Sequence, residues 1–189
     1  MSWVLLVLGL LLWSSLHLFR SVAPDGRAAL EARFGPASKG LIALGILVSL
    51  GLVILGYRAT GYVPIWSPPA FFTHVNNLLM VLALYMYLSS ATKPGTAFAF
   101  GNLKNPQLTG FKLWAAAHLL VNGDLAAMIL FAGLLAWAVL EVVFSKRVPS
   151  MVDRSKAPIS SPWTHLGLVL AAFAAVSALH AALGRWPFG

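Results

Sequence analysis

Of 189 residues, 59% are hydrophobic and only 10% are charged. Soluble domains carry roughly 25% charged residues, so a soluble globular fold is excluded and a bilayer must hold the apolar surface. The chain has no cysteine, which excludes disulfides, thiolate metal sites and thiolate-ligated haem, and its net charge of +8 falls between apolar runs, where the positive-inside rule explains it without nucleic acid.

A spanning helix needs about 20 mostly apolar residues. The first candidate runs from Trp3 to Phe19. Ser21-Val22-Ala23 resembles a signal-peptide cleavage site, but no basic residue precedes the run and Pro24 follows it. The segment therefore reads as a retained helix. The second candidate is Leu41 to Tyr57, whose Gly45, Gly51 and Gly56 permit close packing. The third is Ala70 to Ser89, entered after Pro68-Pro69. An apolar stretch then runs from Phe111 to Phe144, interrupted by Asn122-Gly123-Asp124. As one helix it would be about 50 Å long, too long for a core of about 30 Å. The three polar residues favour a turn, so the stretch reads as a short hairpin of two spans. Asn105-Pro106 is expected to start the first of these, with Asn as N-cap and Pro at the first helical position. The last span is Thr164 to Leu183, after Ser160-Ser161-Pro162.

Six spans place eleven basic residues on one side and two on the other. Arg20, Arg27, Arg33, Lys39, Lys93, Lys104, Lys112, Lys146, Arg147, Arg154 and Lys156 lie together; Arg58 and Arg185 lie opposite. Five spans would break this segregation. The expected fold is an all-α, polytopic membrane bundle of six transmembrane helices, one domain over residues 1–189, with both termini outside.

Ionisable groups in a bilayer are costly and mark function by default. His17 lies one turn before the cytoplasmic end of the first helix, and His118 lies about three turns into the fourth, counted from its cytoplasmic start. Trp13-Ser14-Ser15-Leu16-His17-Leu18 reads like Trp114-Ala115-Ala116-Ala117-His118-Leu119. Each Trp precedes its His by four residues, so the two rings share a helix face. The small residues between them leave room for something flat. Two imidazoles with aromatic neighbours suit a bis-His haem b, with His17 and His118 on the iron and Trp13 and Trp114 beside the porphyrin. Arg20 and Lys112 are placed to meet the propionates. The bland reading is that these histidines hydrogen-bond within the core. That reading is stronger for His74 and His180, and His165 reads as interfacial. Asn76 and Asn77 suggest interhelical hydrogen bonds. Asp124 reads as a helix cap, or else, with Asn122, as a proton relay or a supporting acceptor. Glu141 reads as interfacial, beside Lys146 and Arg147.

Several blocks carry a family resemblance: Leu16-His17, Arg27…Leu30…Phe34-Gly35, Lys39-Gly40-Leu41 to Gly56-Tyr57, Trp66, and His74-Val75-Asn76-Asn77-Leu78-Leu79-Met80. The most specific is Leu103-Lys104-Asn105-Pro106-Gln107-Leu108-Thr109-Gly110, continuing through Lys112-Leu113-Trp114 to Asn122-Gly123-Asp124. Over nearly its whole length the chain resembles the NnrU family of bacterial membrane proteins, related to 15-cis-zeta-carotene isomerase. The resemblance implies a bacterial inner membrane, in which the termini that the charge pattern sets outside are periplasmic. It also implies a role supporting nitrite and nitric oxide metabolism in denitrification, with electron-transfer or denitrification partners. The isomerase relative is a histidine-ligated b-haem protein, and its ligand motifs align with His17 and His118. Haem-dependent cis-trans isomerisation of a polyene and a non-catalytic assembly role remain alternatives. Lys104-Asn105-Pro106…Gly110 also looks like the isoprenylcysteine type of membrane methyltransferase, which has Arg-His-Pro where this chain has Lys-Asn-Pro.

Overall fold

The computed structural model describes residues 1–100, 103–145 and 154–188. Among them are seven α-helices and no strand beyond two isolated bridges. The helices are α1 (Ser2–Val22), α2 (Pro24–Phe34), α3 (Ala37–Ala59), α4 (Phe72–Leu88), α5 (Pro106–Val121), α6 (Leu125–Ser145) and α7 (Pro162–Ala182). Lys146 and Arg147, expected beside Glu141, lie outside the described residues.

The helix boundaries follow local chemistry. Asn105 stands at the N-cap of α5 and Pro106 at its first position, although the Asn105 side chain makes no cap bond. The break expected at Asn122-Gly123-Asp124 is present, because α5 ends at Val121 and α6 starts at Leu125. Asp124 caps α6 by accepting from Ala127 N at 3.0 Å. Ser161 caps α7, ahead of Pro162.

One element differs from expectation. The basic segment between the first two spans carries no apolar run and predicts a loop, yet it contains α2. Pro24 opens this helix and Asp25 sits in its first turn, both favoured positions. Gly35, at φ 55°, closes it in a conformation that costs glycine little. Arg27 bridges Glu31 one turn on at 3.4 Å and donates to Ser38 Oγ at 3.4 Å. A polar eleven-residue helix carries no periodic apolar signal, which is why the sequence pattern conceals it.

Four helices, α1, α3, α6 and α7, are long and apolar enough to cross a membrane. The helices α4 and α5 have 17 and 16 residues, at and just below the lower limit of roughly 17. Length and composition thus give four candidate spans where six are expected. Large apolar side chains face outward along them, including Val4, Leu11, Leu47, Leu55, Leu140 and Leu170, as lipid contact requires.

The helices fall into two compact units. The first comprises Met1–Trp66 and Gly123–Pro149. In it α1 packs against α3 and α6, with Leu6, Leu10, Val53 and Ala126 at the centre. Glycines set the α1–α3 spacing. A Cβ on Gly9 would stand 2.7 Å from Val53 N, and one on Gly56 would stand 2.7 Å from Leu6 Cα. Lipid supplies no hydrophobic force between helices, so this close backbone approach is what holds them. The chain after α3 pairs with the entry to α6. Ile65 N donates to Gly123 O at 2.8 Å, and Leu125 N donates to Val63 O at 2.9 Å.

The second unit comprises Ser67–Asn122 and Ser150–Gly189. Here α4 packs against α5 and α7. A Cβ on Gly110 would stand 2.7 Å from Tyr87 N, against α4 backbone. One end of this unit is tied by Arg154, whose guanidinium donates to Ser89 O at 2.7 Å and Leu103 O at 3.1 Å. At the other end Asn77 Nδ2 donates to Pro187 O at 2.8 Å.

Candidate functional site

His17 lies on α1 and belongs to the first unit. Its Nδ1 lies 2.9 Å from the carbonyl oxygen of Trp13, one turn back. A carbonyl only accepts, so Nδ1 carries a proton, and in the neutral ring Nε2 is then the nitrogen with the lone pair. The imidazole is held between two indoles. The Trp13 ring lies 4.2 Å away, tilted 32°, and the Trp137 ring of α6 lies 4.9 Å away, edge-on at 67°. The two indoles meet each other edge to face at 5.5 Å. Trp137 is buried and was not among the residues singled out by pattern. Its partnership with His17 arises between helices remote in sequence, so no local spacing reports it. Arg20 follows His17 by three residues on the same α1, about 4.5 Å along the axis.

His118 lies on α5 and belongs to the second unit. Its Nδ1 lies 3.0 Å from the carbonyl oxygen of Trp114, giving the same tautomer. The Trp114 ring is 5.1 Å away, tilted 51°, and Phe111 backs Trp114 at 4.9 Å. Asn122 fastens the end of this helix. Its backbone N and its side-chain Nδ2 both donate to His118 O, at 3.0 and 2.8 Å. Lys112 precedes His118 by six residues, about 9 Å along the axis and about a third of a turn around it.

The shared pattern is longer than the Trp-to-His spacing suggests. Gly9, Trp13 and His17 on α1 repeat as Gly110, Trp114 and His118 on α5, each with steps of four. Both glycines sit where a neighbouring helix backbone touches. A residue every fourth position lies on one face. In each unit, then, a single helix face carries a glycine contact, an indole and a tautomer-locked imidazole. The glycine was legible in the sequence and was missed. The small residues between Trp and His were expected to leave space for a flat group. Ala115 and Ala117 are instead fully buried, because small side chains in membrane helices let neighbours close in.

The other polar residues sort by role. His74 is exposed at the start of α4. Asn76 Nδ2 donates to Asn77 Oδ1 at 3.5 Å, and Asn76 Oδ1 is buried without a partner. His180 Nδ1 donates to Val176 O at 2.8 Å, but neither Trp nor Gly stands at the equivalent positions before it. His165 is fully buried within the second unit. Its Nε2 donates to Tyr85 O at 3.1 Å, its ring meets Tyr85 at 4.4 Å, and Nδ1 has no partner. It stands three residues after the helix-starting Pro162, where side chains are usually wet, and α4–α7 packing hides it. Among the described residues no three or more His, Asp or Glu side chains cluster as metal ligands.

A family model described as NnrU protein matches residues 5–187, nearly the full chain. The chain belongs to the NnrU protein family. Neither the curated proteins nor the solved structures hold a match to it. This NnrU protein is therefore read from its own residues. In the neutral form each imidazole would offer Nε2, the kind of nitrogen a haem iron takes. The backbone carbonyl on Nδ1 is the outer partner that metal-bound histidines ordinarily have.

Proposed function

We propose that this NnrU protein binds haem b through Nε2 of His17 and Nε2 of His118 and supports nitrite and nitric oxide metabolism by redox or nitric oxide handling. The observation that carries the reading is the repeated Gly-Trp-His face with the same Nδ1 bond in both units. His180 shares the bond alone, so the bond is not by itself the argument. Trp13 and Trp114 supply the apolar aromatic flank, and Arg20 and Lys112 supply charge for the propionates. Bound there, haem would supply one-electron chemistry or a site for nitric oxide. The protein's part is to present neutral imidazole, hold each ring by its Trp carbonyl, and keep the surroundings dry. Titration of haemin into the purified protein in detergent tests this. Saturation near one equivalent with a low-spin spectrum is expected, and a featureless, unsaturable titration counts against it.

The same reading gives α4 and α5 as spans alongside the four longer helices. Both termini are then periplasmic and the basic loops cytoplasmic, in a bacterial inner membrane. The absence of native cysteine makes labelling direct. Tyr62→Cys is expected to react with an impermeant thiol reagent added outside intact cells, and Thr96→Cys only after the cells are opened. Equal reactivity of the two before opening contradicts the six-span arrangement.

A further inference from the structure

Glu141 is the one acidic residue of α6 and lies half-buried one turn before the helix ends at Ser145. Its surroundings follow from the register of α1 on α6, both in the first unit. A Cβ on Gly133 would stand 3.2 Å from Leu10 Cδ1. One turn on, Trp13 meets Trp137 at 5.5 Å, and His17 meets the same Trp137 at 4.9 Å. Leu10, Trp13 and His17 advance along α1 as Gly133 and Trp137 advance along α6, so the two helices run in the same direction. Glu141 follows Trp137 by four residues and therefore shares its face. The next step of the register sets Glu141 at the level of His17.

Glu141 Oε2 and, on the facing helix, Trp13 Nε1 are buried without a hydrogen-bond partner. Leaving such a group unpaired is costly, and more so for a charged one. No ion pair to Glu141 forms among the described residues, where the one pair found is Arg27–Glu31. A partly buried carboxylate with an unpaired oxygen is stabilised when a positive centre lies close.

We propose that Glu141 is the electrostatic partner of the His17 site, placed to balance the positive charge of an oxidised iron held by that imidazole. The proposal rests on the haem reading. The ferric centre carries one more positive charge than the ferrous one, so a nearby carboxylate favours the ferric form and lowers the reduction potential. Glu141 acts on the site through its charge.

The test is a spectroelectrochemical titration of the haem-loaded protein, with dithionite as electron donor and ferricyanide as acceptor in the one-electron ferric–ferrous couple. Glu141→Gln is expected to raise the midpoint potential, and Glu141→Asp to stay near wild type. A potential unchanged in Glu141→Gln, with haem retained, overturns the role of Glu141 and leaves the haem reading standing. Wild-type protein that binds no haem overturns both. The register has its own test, because the chain has no native cysteine. His17→Cys with Glu141→Cys is expected to form a disulfide under oxidant, since bridging requires Cα atoms about 4.4–6.8 Å apart. His17→Cys with the outward-facing Val139→Cys is expected not to. Failure of the first pair, or bridging by both, overturns the placement whether or not haem is bound.

Discussion

His17→Ala and His118→Ala are each expected to lose bound haem, with apparent affinity falling by at least tenfold and the low-spin spectrum abolished. Removing a partner that merely supports a metal-bound histidine typically costs 10–100-fold in affinity, so removing the ligand itself costs at least as much. The two substitutions differ in their surroundings. His17 sits between Trp13 and Trp137, and its loss leaves a gap lined by indole. His118 also anchors the end of α5, but through its backbone carbonyl, which Asn122 holds. Alanine keeps that carbonyl, so helix α5 should persist and the loss should be of ligand alone. His180→Ala serves as the control, since it shares the Nδ1 bond without the Trp or the Gly. It is expected to keep wild-type haem content. Visible absorption of each purified variant, scaled to protein, makes the comparison. Equal haem in wild type and both single variants would assign these histidines to packing.

Gly110→Leu is expected to be the most disruptive single change in the second unit. Even the first carbon of a side chain there would press on α4 backbone, at 2.7 Å from Tyr87 N. Backbone cannot swing aside as a flexible side chain can, so α4 and α5 must separate. Overpacking of a tight site typically costs 1–3 kcal/mol, and the close approach lost is the main attraction between helices in lipid. The displaced α5 carries Trp114 and His118 with it, so haem affinity should fall together with thermal stability. Gly51→Ala offers the opposite sign. Nothing lies within 4 Å of a Cβ at Gly51, in the middle of α3. There alanine should gain up to about 1 kcal/mol from helix propensity. Thermal melting in detergent of Gly110→Ala, Gly110→Leu and Gly51→Ala separates these effects. Similar melting temperatures for all three would mean that the α4–α5 crossing does not depend on glycine.

Much of this architecture was legible before any coordinate. Apolar runs locate the long helices to within a few residues, since lipid demands them. Asn105-Pro106 and Asn122-Gly123-Asp124 mark helix ends by turn and cap chemistry. What was hidden has a physical reason in each case. The helix α2 is short and polar, so it has no apolar period to detect. Trp137 and Glu141 matter through their alignment with α1, and a register between distant helices leaves no local trace. His165 stands at a helix start, where residues are usually wet, and burial there depends on α7 meeting Tyr85. Gly9 and Gly110 were readable, because they continue the four-residue step of Trp and His. They were overlooked for want of a side chain.

The central claim is that the imidazoles of His17 and His118 are ligands. The most direct measurement is the dithionite-reduced minus oxidised visible spectrum of the protein purified from haem-sufficient cells, with haem content fixed by its pyridine complex. The account expects sharp, resolved α and β bands of a low-spin bis-imidazole haem b, near one haem per chain. Intact, folded protein that is colourless as purified and stays colourless after haemin is supplied would contradict it.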